Sequence, residues 1–142
     1  MTEEMPMIRF TDSLDGIGED DLEGFFDGWP NPPSPATHMR ILKGSSHVEL
    51  AVLEVGKVVG YITVISDGVS SAYIPHLEVL PAFRGKGIGS ELVNRALQYY
   101  KCIYMIDLIC DEDVRPFYEG LGFRAGRGMF IRNYERQNCE NS

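Results

Sequence analysis

The sequence predicts a mixed α/β fold of the α+β kind: a twisted, mostly antiparallel sheet flanked by helices, with one parallel β-α-β crossover at its centre. Three observations carry this expectation. Apolar or alternating runs at 47–53, 58–65 and 72–80 follow one another with only turn residues between them, the pattern of an antiparallel meander. A helical apolar repeat comes next, through Leu92, Val93, Ala96, Leu97 and Tyr100. A further apolar run, Ile103 to Cys110, follows that helix, and a strand–helix–strand connection makes its two strands parallel.

Taken in order, Met7–Phe10 reads as a short first strand and Asp20–Phe26 as a short helix stopped by Gly28. WPNPPSP at 29–35 holds four prolines, which exclude it from helix interiors and central strands, so it is an extended loop. Pro35–Leu42 reads as a second helix with Ser34 as its N-cap. His47–Leu53 and Val58–Ile65 form a hairpin through Glu-Val-Gly-Lys, and Asp67-Gly68 turns the chain into Ala72–Leu80. Gly89–Tyr100 is the amphipathic helix and Ile103–Cys110 the strand after it. Asp111–Glu119 reads as a helix with acids in its first turn, where the dipole favours them, and Gly120 and Gly122 end it. Phe123–Ala125 and Met129–Tyr134 are expected to close the sheet as a last pair of strands.

With 142 residues, 44% of them hydrophobic and 24% charged, the chain suits one globular domain, 1–142. No apolar run approaches the ~20 residues of a membrane span, and MTEEMPMIRF lacks a signal-peptide core, so a cytoplasmic location without membrane partners is expected. Cys102, Cys110 and Cys139 match no zinc spacing, and no metal is expected; Cys102 and Cys110 sit in apolar context and read as buried thiols. The net charge of −8 resides in residues 1–30, which hold nine acids and one base. Without a basic excess to neutralise phosphates, nucleic acid is excluded as a partner. The acidic segment either attracts a cationic substrate or is a solvated face.

The stretch LEVLPAFRGKGIGSEL, residues 77–92, carries the chemistry. Glycine is costly in regular structure, yet Gly85, Gly87 and Gly89 occupy alternate positions between a strand and a helix. Unpaired N–H groups at a helix N-terminus carry partial positive charge, and glycine lets phosphates approach them. Arg84 and Lys86 add whole charges, so a diphosphate is the natural guest. The P-loop pattern is absent, and the dinucleotide fingerprint fails at Ser90, although Asp107 lies where a ribose-binding acid would. The pattern R/Q-x-x-G-x-G/A is met by Arg84, Gly87 and Gly89.

VLPAFRGKGIGSEL resembles the central motif of the GNAT superfamily of acetyl-CoA-dependent N-acetyltransferases. The second signature of that family, FY-x-x-x-GF, appears at Phe117-Tyr118-Glu119-Gly120-Leu121-Gly122-Phe123, in the right order and at the usual separation. The resemblance is strong over about residues 50–134, the expected cofactor core. Residues 1–30 would then hold acceptor-side helices, and 135–142 a polar tail. It implies an N-acetyltransferase that moves an acetyl group from acetyl-CoA to a primary amine of a small molecule or peptide, by direct attack in a ternary complex. A homodimer would be in keeping with the family.

The resemblance further implies a role for each candidate residue. Backbone groups of Leu77 and Val79 would hold the pantetheine arm like an added strand. Arg84, Gly85, Lys86, Gly87, Ile88, Gly89 and Ser90 would bind the pyrophosphate. Asp111 stands where many relatives carry asparagine; an ionised aspartate has no donor, so it is either a cofactor contact or a helix cap. Tyr118 matches the tyrosine that protonates the leaving thiolate. Glu78, an acid within an apolar strand, is a candidate base; strict alternation puts it on a face with His76 and Ile74, opposite Tyr73, Leu77 and Val79. Phe26 and Trp29 are candidates for an aromatic acceptor pocket or for core sealing. Two readings of other classes stand beside this one: a non-catalytic acyl-CoA sensor on the same fold, and a nucleotide-binding regulatory domain.

Overall fold

The computed structural model of the chain describes residues 7–140. Five strands form one sheet in sequence order: β1 (Ile8–Thr11), β2 (His47–Leu53), β3 (Val58–Ser66), β4 (Ser71–Val79) and β5 (Met105–Leu108). All neighbours are antiparallel except β4 and β5, which are parallel, as the crossover requires. The helices are α1 (Pro35–Gly44), α2 (Ile88–Tyr99) and α3 (Arg115–Gly120). The mixed, mostly antiparallel sheet predicted from the meander and crossover is therefore the observed fold.

Helix α1 starts where its sequence says it should: Pro35 occupies the first turn and Ser34 Oγ accepts from the Thr37 N–H at 3.2 Å. Its buried face joins Leu22, Phe25, Phe26, Leu50 and Tyr61 in a core on one side of the sheet. Helix α2 covers the other side, burying Ile88, Leu92, Val93 and Ala96 against Val59, Ile62 and Ile74. Gly60 in β3 permits this approach, since a Cβ there would lie 3.1 Å from Ile88 Cγ2. A buried imidazole–carboxylate contact, His47 Nε2 to Glu49 Oε2 at 2.6 Å, lies on β2, with Tyr99 stacked on the His47 ring.

Four sequence expectations are corrected. Asp20–Phe26 is not a helix: one 3₁₀ turn, Glu19–Leu22, is followed by irregular chain. Gly24 and Phe26 have φ of 94° and 64°, and the amides of Phe26 and Asp27 bond to a distant side chain instead of a preceding turn. Phe123–Ala125 and Met129–Tyr134 are not strands; that chain is extended without a ladder, and a 3₁₀ turn begins at Tyr134. Cys102 and Cys110, like Cys139, are exposed, because the turns flanking β5 lie outside both cores.

The fourth correction concerns β4. Thr63 pairs with His76, but Ile65 pairs with Tyr73, so β4 carries one extra residue around Pro75. Such a bulge inverts the alternation of side chains. Ile74 packs toward α2; beyond the bulge Leu77 and Val79 face α2, while His76 and Glu78 face the α1 side. Glu78 thus shares a face with His76 as expected, but not with Ile74.

Candidate active site

Strand β4 pairs with β5 from Ser71–Met105 to Ile74–Leu108, and the ladder ends there. Pro75 follows immediately, without an N–H and inside the bulge, and β4 runs on to Val79 paired with β3 alone. The outer edge of β4 left unpaired beyond Ile74 leads to the glycine loop. Leu80 caps a 3₁₀ turn at Pro81–Phe83, and the chain enters α2 through Gly87 as N-cap, in the left-handed region at φ 83°. Only glycine holds that conformation without cost.

The first hydrogen bond of α2 is Glu91 N–H to Gly87 O at 3.1 Å. Among the described residues, none of the N–H groups from Gly85 to Ser90 has an intrachain partner, and no side chain caps the helix. A Cβ at Gly85 or Gly87 would meet nothing within 4 Å, so the surface beside these amides is open. Six unsatisfied donors at the positive end of a 12-residue helix fit an anion. Arg84 is partly engaged elsewhere: its Nε donates to the Val79 carbonyl at 2.8 Å, and its guanidinium lies 3.6 Å from Asp27. Of the Leu77 and Val79 backbone groups expected to hold pantetheine, the Val79 carbonyl is therefore occupied by the protein itself. Lys86 lies over the Phe83 ring at 5.6 Å.

On α3, Tyr118 packs against Phe117 and Phe123 at ring distances of 5.0 and 5.6 Å. Burial, and secondarily the Cys110 thiol, push its phenol up to about 12. Phe117 reaches the glycine loop, its ring 3.5 Å from a Cβ built at Gly89. The motif on α3 and the motif at α2 are thus in contact. Asp111 does not cap α3, whose N-cap is Val114 without a side-chain bond. Its carbonyl accepts from Val114 N–H in the preceding turn.

The opposite face of β4 meets the chain at 25–29. Glu78 spends both carboxylate oxygens on backbone amides: Oε1 accepts from Phe26 N–H at 2.8 Å and Oε2 from Asp27 N–H at 3.2 Å. This clamp holds Phe26 in its left-handed conformation. Phe26 is buried, Trp29 is partly exposed and tilted onto it at 4.9 Å, and His76 lies edge-on to Phe26 at 6.0 Å. Burial lowers His76 below the ordinary imidazole value, which keeps the ring neutral at pH 7. Phe26 also lines a cleft of about 450 Å³, together with Phe25, Pro33, His38 and the acids Glu23 and Glu140.

Two contributors to this cleft were not found from sequence. His38 is 1% exposed, and neither ring nitrogen has a partner in the protein. Burial first, then His76, lower its pKa to about 4. On α1 it reads as one more core-facing helix position, so no sequence signal marked it. The C-terminal tail also reaches the cleft through Asn138 and Glu140, and Gln137 Oε1 accepts from Asn31 N–H at 2.9 Å. A separate group, Asp12, His47 and Glu49, brings one ligand-type atom each within 4.8 Å of the others.

The family model described as the acetyltransferase (GNAT) family matches residues 14–123. The chain belongs to the GNAT acetyltransferase family. A Deinococcus radiodurans R1 protein assigned to the acetyltransferases, known from a crystal structure, is 45% identical over 97% of both chains, with a TM-score of 0.93. A GNAT family acetyltransferase of Streptococcus pneumoniae TIGR4 is 30% identical over 89% of this chain and 99% of its own, with a TM-score of 0.71. Among curated proteins, GCN5-related N-acetyltransferase 2, chloroplastic, of Arabidopsis thaliana is 30% identical over 136 residues. Its paralogue numbered 3, also chloroplastic, is 40% identical over 74 residues. The chain spans 53% and 31% of the lengths of these two relatives. Both are named for a compartment other than the cytoplasm expected from the N-terminus. No helix among the described residues is long and apolar enough to cross a membrane.

Proposed function

We propose that this GNAT family member transfers an acetyl group from acetyl-CoA to a primary amine of a small molecule or peptide, within a ternary complex. The observation that carries the reading is the run of six partnerless amides, Gly85 to Ser90, to which the unpaired edge of β4 leads. These amides bind the pyrophosphate, with Lys86 adding charge at the rim. Leu77, on the part of β4 that pairs with β3 alone, offers backbone groups to the pantetheine arm. Acetyl-CoA supplies the acetyl group as a thioester whose sulfur leaves as a thiolate.

Tyr118 stays protonated across the physiological range and donates its O–H toward the leaving sulfur. A phenol at about 12 is a weaker acid than a thiol near ~8.5, so full proton transfer is uphill. Tyr118 therefore stabilises the thiolate by a hydrogen bond in the transition state, and the attacking amine supplies the proton in the end. The acceptor enters from the Phe26–Trp29 side, where Glu23 and Glu140 favour a cation. Glu78 and neutral His76, two residues apart on that face, take the amine proton directly or through water. Asp111 offers no donor to the cofactor.

The reading is tested by release of coenzyme A thiol from acetyl-CoA across polyamines, aminoglycosides, amino acids and peptide N-termini, alongside calorimetric titration with coenzyme A. Turnover with at least one amine is expected. Failure to bind coenzyme A overturns the reading. One observation favours the alternative of a non-catalytic acyl-CoA sensor: both oxygens of Glu78 are held by backbone amides. Tight binding without turnover across the panel selects that alternative.

A further inference from the structure

On the α2 face of the sheet, opposite the Phe26 cleft, β1 and β2 bring together three side chains of the kinds that bind metals. Asp12 directly follows β1, and His47 and Glu49 stand two residues apart on β2, so both point to one face. One ligand-type atom from each lies within 4.8 Å of the others. The sequence does not mark this group. No short spacing joins residue 12 to residues 47 and 49, and it is the pairing of Thr11 with Leu50 that sets them side by side.

Two of the three are buried: Glu49 is 6% exposed and His47 8%. Tyr99 stacks on the imidazole at 3.8 Å, which fixes the plane of the ring. Glu49 Oε2 meets His47 Nε2 at 2.6 Å, but among the described residues no donor reaches Glu49 Oε1 or either carboxylate oxygen of Asp12. Glu49 and Asp12 both line an open cleft of about 580 Å³ between β1 and α2, with Phe10, Glu91, Arg95 and Tyr99. Arg95 is the cation of that lining, and it is already engaged. Its Nε donates to Glu91 at 3.0 Å, and its guanidinium lies over the Phe10 ring at 4.8 Å. Two carboxylates, one of them buried, thus share a single imidazole. A buried carboxylate with an unpartnered oxygen is costly, and a cation entering from the cleft removes that cost.

We infer that Asp12, His47 and Glu49 bind one divalent ion of the zinc type, with water completing its coordination. One imidazole and two carboxylates suit zinc, whereas magnesium and calcium prefer oxygen alone. Ligand atoms on a tetrahedral zinc stand roughly 3.3 Å apart, given bonds of about 2.0–2.1 Å. The 2.6 Å contact of His47 with Glu49 therefore widens, and its hydrogen bond gives way to the ion, with the imidazole proton carried on Nδ1. Asp12 closes from the exposed side. The ion ties the end of edge strand β1 to β2, and so fixes the start of the chain that leads to the 19–29 segment.

The test is calorimetric titration with zinc chloride of the tag-free chain, its three cysteines replaced by serine because exposed thiols also take zinc. One ion per chain is expected, and zinc at about 100 times the dissociation constant raises Tm by roughly 5–10 °C. Magnesium at the same concentration leaves Tm unmoved. Asp12→Asn, at an exposed position, keeps the zinc-free Tm and weakens zinc binding roughly 10–100-fold. Glu49→Gln keeps an acceptor for His47 and weakens zinc binding by about 100-fold or more. In proton NMR the His47 ring signals shift on zinc addition, and those of His38 and His76 do not. No binding, as a plain His47–Glu49 ion pair predicts, overturns the inference. So does binding that survives either substitution, zinc that moves only the other two histidines, or a magnesium response equal to that of zinc.

Discussion

Replacing Glu78 by glutamine separates anchoring from proton transfer. In the folded chain the carboxylate accepts two backbone N–H bonds, at 2.8 and 3.2 Å, from residues 52 and 51 positions away. A hydrogen bond to a charged group contributes ~1.5–3 kcal/mol, and a buried donor left unpaired costs about 1–3 kcal/mol. Glutamine keeps one acceptor and turns the other oxygen into a donor that faces an N–H. The longer bond, to the exposed Asp27 amide, is the one lost, and the freed amide meets water, so the expected loss is that of the bond itself, about 1.5–3 kcal/mol. For a chain of this size that is a fall in Tm of roughly 5–10 °C. The 25–29 segment should loosen first, because Phe26 holds a φ of 64° only while clamped. Urea unfolding with an unchanged slope measures the stability, and emission from Trp29, the single tryptophan, reports the loop. If Glu78 anchors, KM for the amine rises more than kcat falls; if it is the base, kcat falls by a hundredfold or more at unchanged KM. Stability within about 0.5 kcal/mol of the parent, with unshifted Trp29 emission, would refute the clamp.

Other outcomes follow from the same geometry. Tyr118→Phe should lower kcat by ~10²-fold with coenzyme A affinity kept, measured by thiol release and calorimetry. Gly87→Val forces a branched side chain into the left-handed region and should weaken coenzyme A binding at least tenfold, with a stability loss of ~1–2 kcal/mol by thermal melting. His38 has a folded pKa of about 4 against 6.5 when unfolded, so the unfolded chain binds the extra proton. Stability from this residue is therefore complete above pH 6.5 and drains away as pH falls toward 4, by about 3 kcal/mol at most. His38→Leu should remove that slope and raise stability at pH 7, as read by urea midpoints from pH 4.5 to 7.5. Glu49→Ala should cost ~3 kcal/mol by leaving the buried His47 ring without its 2.6 Å partner, seen as a lowered Tm.

What the sequence determined by itself were the features written in neighbouring residues. The meander rests on alternation and turn residues, the crossover on a helical repeat between two apolar runs, and the anion loop on glycines that open α2. The Phe117–Tyr118 motif rests on a short helix followed by Gly122. Each is decided within a few residues along the chain, and each formed. Tertiary structure decided the rest, because it depends on partners far apart in sequence. The extra residue at Pro75 turns His76 and Glu78 to the α1 side only because β3 fixes the register there. Glu78 reaches 52 residues back to dissolve a helix that local propensity favours, and Gln137 reaches 106 residues back to lay the tail beside the cleft. The Met129–Tyr134 strand is the converse case. Its pattern is that of a strand, but a ladder needs register along an edge, and among the described residues that segment pairs with none, passing the end of β5 at residue 128 without joining it.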